Sequence, residues 1–197
     1  MNNKYSVKNL IATGVFSVLM LLCAMIGGGP FATIPSLTFY FPIGAALLGG
    51  PVFMLFIAKV PKKGALIIMG AIMCILGTLT GMHWGMNFGV LLSATIASFV
   101  CSIGEFKNMK LNVLSYMIYS IGPMGTYFVF FFNKEGWIEF MLKKGTEQEY
   151  IDVMSLHSTP ATILIMVIGT IVVSFLSGLL GVKLMKKQFI KAGIADA

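Results

Sequence analysis

The stretch TPATILIMVIGTIVVSFLSGLLGV, from Thr159 to Val182, carries no charged residue and exceeds the roughly 20 apolar residues that cross a bilayer as a helix. Its apolar positions are continuous, which excludes the two-residue alternation of a barrel strand. Lysines follow at once, at Lys183, Lys186, Lys187 and Lys191. Only helices and closed barrels satisfy their backbone in lipid, so this stretch reads as a membrane-spanning helix.

The same pattern recurs toward the N-terminus. Further spans are expected at about 8–28, 34–60, 65–80, 85–103 and 109–132, with 159–182 as the sixth. Gly27-Gly28-Gly29-Pro30 is expected to stop the first span. Pro42 and Pro51 are expected to kink or interrupt the second, since each lacks a backbone donor. The first apolar stretch lacks an A-x-A exit and is expected to be kept as a helix. Composition agrees: 57% of residues are hydrophobic and 11% charged, against about 45–50% and 25% in soluble domains. The expected fold is all-α, a polytopic membrane protein forming one six-transmembrane-helix bundle over residues 1–197.

The net charge of +7 does not signal nucleic acid, because all fourteen basic residues are lysines at the ends of apolar runs. One side of the expected topology holds Lys4, Lys8, Lys59, Lys62, Lys63, Lys107, Lys110, Lys183, Lys186, Lys187 and Lys191. The other holds Lys134, Lys143 and Lys144 beside Glu135, Glu139, Glu147, Glu149 and Asp152. The positive-inside rule makes the first side cytoplasmic, with both termini, which places the chain in the cytoplasmic membrane. The polar segment 133–158 is then external. Trp137, Ile138, Phe140, Met141 and Leu142 among its charges fit a surface amphipathic helix or a cover over a pocket.

No expected span carries Asp, Glu, Lys or Arg in its middle, which argues against an ion-coupled carrier. Walker A, HExxH and GxSxG motifs are absent, so neither ATP binding by that route nor catalysis is expected. Cys23, Cys74 and Cys101 are isolated in apolar runs and fit no metal or disulfide framework. Small residues recur every fourth position at Gly85, Gly89, Ser93, Ala97 and Cys101, and in the pairs Ser174/Gly178 and Ser177/Gly181. Such stripes serve either packing within the bundle or docking of another membrane protein.

Three segments resemble the Trep_Strep group, also called MptD-like substrate-binding components of energy-coupling-factor (ECF) importers. They are the opening Val7–Ser17, the run Leu48–Met54 leading into Lys59-Val60-Pro61-Lys62-Lys63-Gly64, and the tail Gly181–Ile194. The resemblance implies a six-helix S component without catalytic residues or a resident cofactor. It would capture a small-molecule micronutrient on the outer face and work with a transmembrane coupling protein and a pair of ABC-type ATPases. Such subunits offer small residues on their first helix, often as AxxxA. This sequence departs from that pattern with Thr13xxxSer17, and the resemblance carries the docking role to Ala12, Thr13 and Ser17.

In that reading the pocket opens outward, among His83, Trp84, Asn87, Tyr127, Asn133, Trp137 and Thr162. Trp84 and Trp137 read equally as interfacial anchors, and His83 as a turn residue. Without arginine, bidentate capture of a carboxylate is absent. A vitamin-like compound, a metal chelate or a haem remains chemically permitted, since haem iron takes His, Met or Tyr. The competing reading is a stand-alone channel or facilitator for a small solute; an intramembrane enzyme dependent on His83 ranks below both.

Overall fold

The computed structural model describes residues 5–191, with side chains to 186. Lys4 and the tail residues Ala192, Gly193 and Ile194 lie outside the described residues, as do the side chains of Lys187 and Lys191. The elements in order are α1 (Val7–Ala32), a 3-10 turn (Pro35–Tyr40), α2 (Phe41–Lys59), α3 (Ala65–Leu79), α4 (Trp84–Ile103), α5 (Met109–Ile121), a second 3-10 turn (Gly122–Met124), α6 (Gly125–Phe132), α7 (Lys134–Lys143), α8 (Gln148–Leu156) and α9 (Pro160–Lys191). No strand occurs among the described residues. The protein is an α-helical polytopic membrane protein. Five segments are long and apolar enough to cross a bilayer: Val7–Ala32, Pro35–Lys59, Trp84–Ile103, Met109–Phe132 and Pro160–Lys186. The apolar helix α3 is shorter, at 15 residues.

With α5 and α6 taken as one rod, the six apolar rods close into a ring. Its neighbours run α1, α2, α9, α5, α4, α3 and back to α1. Glycines set the spacing. A Cβ on Gly27 would run into the Gly44 carbonyl, one on Gly85 into that of Gly125, and one on Gly89 into that of Gly122. Backbones therefore touch at these crossings, the packing that small residues permit in lipid. The small-residue stripe of α4 is spent inside the bundle, against α5 and α6.

The first span departs from expectation. Helix α1 does not stop at Gly27–Pro30 but runs on to Ala32, with Pro30 inside it. Gly27 and Gly28 are contact residues there, facing Gly44 and Phe41. Burial of this crossing keeps the segment helical where local propensity would end it.

The prolines of α2 act differently from one another. Pro42 lies in the first turn, where a missing N–H is harmless, whereas Pro51 is interior and the helix continues through it. The Leu47 carbonyl, which Pro51 cannot serve, accepts the Ser177 hydroxyl of α9 at 2.7 Å. The Ser177 oxygen in turn accepts the Gly50 N–H at 3.1 Å, and the Ala46 carbonyl accepts the Tyr116 hydroxyl at 2.6 Å.

The fifth span breaks instead. Pro123 cannot donate to the Tyr119 carbonyl, and the chain tightens so that Gly122 N–H does. The same carbonyl also accepts the Ser93 hydroxyl from α4 at 3.2 Å.

Candidate functional site

The polar segment between the fifth and last spans folds back as α7 and α8 over one end of the bundle. The sequence left a surface helix and a cover open; the structure shows a cover. Trp137 is buried, donates its indole N–H to Thr126 Oγ1 at 2.9 Å, and sets its ring edge-on to Phe130 with centroids 5.1 Å apart. From α8, Ile151 and Met154 are buried, and the Tyr150 hydroxyl donates to the Ala32 carbonyl at 2.6 Å. Partial burial raises the pKa of that phenol above its ordinary value. On the exposed face of α7, Glu139 pairs with Lys143 at 2.6 Å, and that hydrogen bond lowers the carboxyl pKa.

Beneath α7 lies His83, the N-cap of α4. Its ring is 3% exposed, and Nδ1 accepts the Gly85 N–H at 3.0 Å. The ring packs against Phe140 (4.7 Å between centroids), Trp84 (5.3 Å) and Trp137 (6.0 Å). Desolvation lowers its pKa to about 4, so it is neutral at pH 7. With Nδ1 accepting, the single ring proton sits on Nε2. Nε2 is buried and has no hydrogen-bond partner. His83 therefore presents a lone N–H donor, not a lone pair, to anything that displaces the aromatic rings. A hydrogen-bond acceptor would suit that proton.

Of the residues expected at the pocket, the structure gathers His83, Trp84 and Trp137, and leaves the others elsewhere. Trp84 is 54% exposed beside His83, the placement of an interfacial ring. Asn87 is buried toward α3, where its amide donates to Thr78 Oγ1 at 3.0 Å. Tyr127 donates to the Thr38 carbonyl at 2.6 Å. Asn133 is an exposed cap, its side-chain oxygen accepting the Gly136 N–H at 3.1 Å. Thr162 donates to the His157 carbonyl at 2.7 Å at the start of α9. Phe140, absent from the expected set, holds the closest aromatic contact to His83. Its three-residue spacing from Trp137 on α7 was the available signal, since residues three apart share a helix face.

The residues expected to dock a partner also face inward in part. Thr13 and Ser17 are fully buried within the chain and back-bond to the Asn9 and Thr13 carbonyls at 2.8 Å each. Ala12 is half-buried against the core. The exposed face of α1 is made by Ile11, Val15, Val18, Leu22 and Met25.

Two voids border these elements. One of about 40 Å³ lies at the centre of the ring, lined by Met20, Ala46, Met73, Tyr116, Tyr119 and Pro123. That is room for a water or a few, not for a vitamin-sized solute. A groove of about 330 Å³ opens on the flank between α4 and α5–α6, from Trp84 to Ile96, and is lined almost wholly by apolar side chains.

No curated protein and no solved structure matches the chain. One family, described as "Hypothetical bacterial integral membrane protein (Trep_Strep)", matches residues 7–191. With nearly its whole length accounted for by that match, the chain belongs to the Trep_Strep family of bacterial integral membrane proteins.

Proposed function

We propose that the chain is the substrate-binding subunit of an ATP-driven importer of the ECF type, resident in the bacterial cytoplasmic membrane. In this reading α3 is a sixth crossing, both termini are cytoplasmic, and the α7–α8 cover faces outward. The lysine asymmetry supports that orientation. The described spans hold no ionisable carboxylate or ammonium at mid-depth, which supports energy supplied by partner ATPases over ion coupling.

The observation that carries the proposal is the cover itself. Trp137 and Phe140 close over a buried imidazole whose Nε2–H is unsatisfied. An unpaired buried donor costs about 1–3 kcal/mol, and a substrate acceptor that replaced the rings would relieve it. The substrate is then a small compound with a carbonyl or carboxylate on an apolar or aromatic body. The exposed face of α1, rather than Thr13 and Ser17, is the surface offered to the transmembrane coupling protein.

The test is co-expression with a coupling protein and its ATPases. Stable co-purification and uptake that requires ATP hydrolysis support the proposal. Passive solute flux through the purified chain alone in liposomes overturns it in favour of a facilitator.

A further inference from the structure

The lysine end of the bundle carries a second groove, between α5 and α9. It encloses about 500 Å³ and is lined by Met109, Lys110, Val113, Leu114, Met117, Phe175, Leu179 and Val182. Leu114, Phe175 and Leu179 are 42%, 43% and 45% exposed, so the groove opens on the flank of two spans, toward lipid. We propose that it is a binding site for an anionic diacyl phospholipid, with the acyl chains in the groove and the headgroup at Lys110.

Charge at one end of an apolar, lipid-facing groove selects this occupant. From Met109 to Met117 the helix rises about 12 Å at 1.5 Å per residue, so the groove runs along the α5 flank from the lysine end toward mid-membrane. The lining is apolar except for one residue, and that residue is a lysine at the end where α5 begins. Lys107 precedes it in the loop, and Lys183 follows the lining residue Val182 on α9; all three are exposed. No acidic side chain lines the groove. The flank groove at Trp84 is smaller and has no cation in its lining, so of these two grooves the charge complementarity belongs to the one at the lysine end.

The experiment is native mass spectrometry of the full chain, delipidated in mild detergent and titrated with phosphatidylglycerol or phosphatidylcholine of matched chains. One phosphatidylglycerol is expected to bind about fivefold more tightly than phosphatidylcholine, the effect of about one lysine near an anionic headgroup. Lys110→Gln is expected to erase that preference while keeping a lipid adduct. Leu114→Trp and Leu179→Trp, which fill the groove from opposite walls, are each expected to abolish the adduct, so the test survives if one fails to fold. Equal affinity for both lipids overturns the proposal, as does an adduct that persists in both tryptophan variants. Occupation of the wild-type groove by a second copy of the chain, read as a dimer lost in those variants, overturns it as well.

Discussion

Pro51 and Pro123 pose the same problem in two spans, and the chain solves it in two ways. Each strands a carbonyl four residues back, and each is met by a serine from a neighbouring helix. At Pro51 the Ser177 hydroxyl reaches Leu47 at 2.7 Å and also takes the Gly50 N–H, and α2 stays continuous. At Pro123 the Ser93 hydroxyl reaches Tyr119 at 3.2 Å while also lying 3.1 Å from its own Val90 carbonyl. There the backbone supplies the rest by tightening into a 3-10 turn. A proline in a membrane helix thus breaks the span or not according to how completely a neighbour replaces the lost donor.

The largest effect is expected on removing the stronger repair. Ser177→Ala leaves the Leu47 carbonyl and the Gly50 amide without their partner, at about 1–3 kcal/mol for each group. Chemical unfolding in detergent should show a loss of about 2–5 kcal/mol. Restoring the donor with Pro51→Ala should recover part of it, and no recovery would sink the account of α2.

The next effect concerns the arm beyond Pro123, which carries α6 and α7 over His83. The folded-state pKa of His83 is lowered from its ordinary 6.5 to about 4. Above pH 6.5 the imidazole is neutral folded or unfolded, and its contribution is flat. Between pH 6.5 and 4 the unfolded chain takes a proton that the folded chain refuses, so stability falls as pH falls. The full loss is about 3 kcal/mol. Hydrogen exchange should show it concentrated in α7 and the start of α4, with α2 protected; uniform loosening would break the contrast. His83→Asn keeps an N-cap acceptor but has no titrating group, and should remove this pH dependence while holding stability at pH 7 within about 1–2 kcal/mol.

Ser93→Ala is expected to be milder than Ser177→Ala, about 1 kcal/mol, because the Tyr119 carbonyl keeps its Gly122 bond. Smallest of all should be Pro123→Ala, within about 1 kcal/mol in stability. Its signature is geometric: a 3-10 turn replaced by α-helix, read from amide chemical shifts at Gly122–Met124. Persistence of the turn would assign the break to the glycine crossings instead.

Much of this architecture was legible in the sequence. Uncharged runs bounded by lysines locate the rods, and the Gly85–Gly89–Ser93–Ala97 periodicity announces a close helix contact. What the sequence could not show was where each contact pointed. The same small-residue spacing serves an internal crossing at Gly89 and was read on α1 as a docking face, yet Thr13 and Ser17 face inward. Gly27–Pro30 looked like a stop because local propensity carries no knowledge of Gly44 across the interface. Pro123 was not singled out, and the repair of Pro51 was invisible because Ser177 lies 126 positions away in the chain. Of the residues expected at the pocket, His83, Trp84 and Trp137 were chosen by type and position, and the structure brings them together. Asn87 was grouped with them by sharing a helix face with His83, and Tyr127 and Thr162 by depth; each bonds a different neighbour.

The serine repairs also divide the molecule mechanically. Sliding α2 along α9 must break both bonds of Ser177 at once and drag Gly50 past the Ser177 backbone. Flexing at Pro123 breaks no bond from residue 123, strains one shared hydroxyl contact, and pivots on the close crossings of Gly122 with Gly89 and Gly125 with Gly85. A load applied to this bundle meets a welded joint on one side and a hinge pin on the other, and it is the side with the pin that carries the cover.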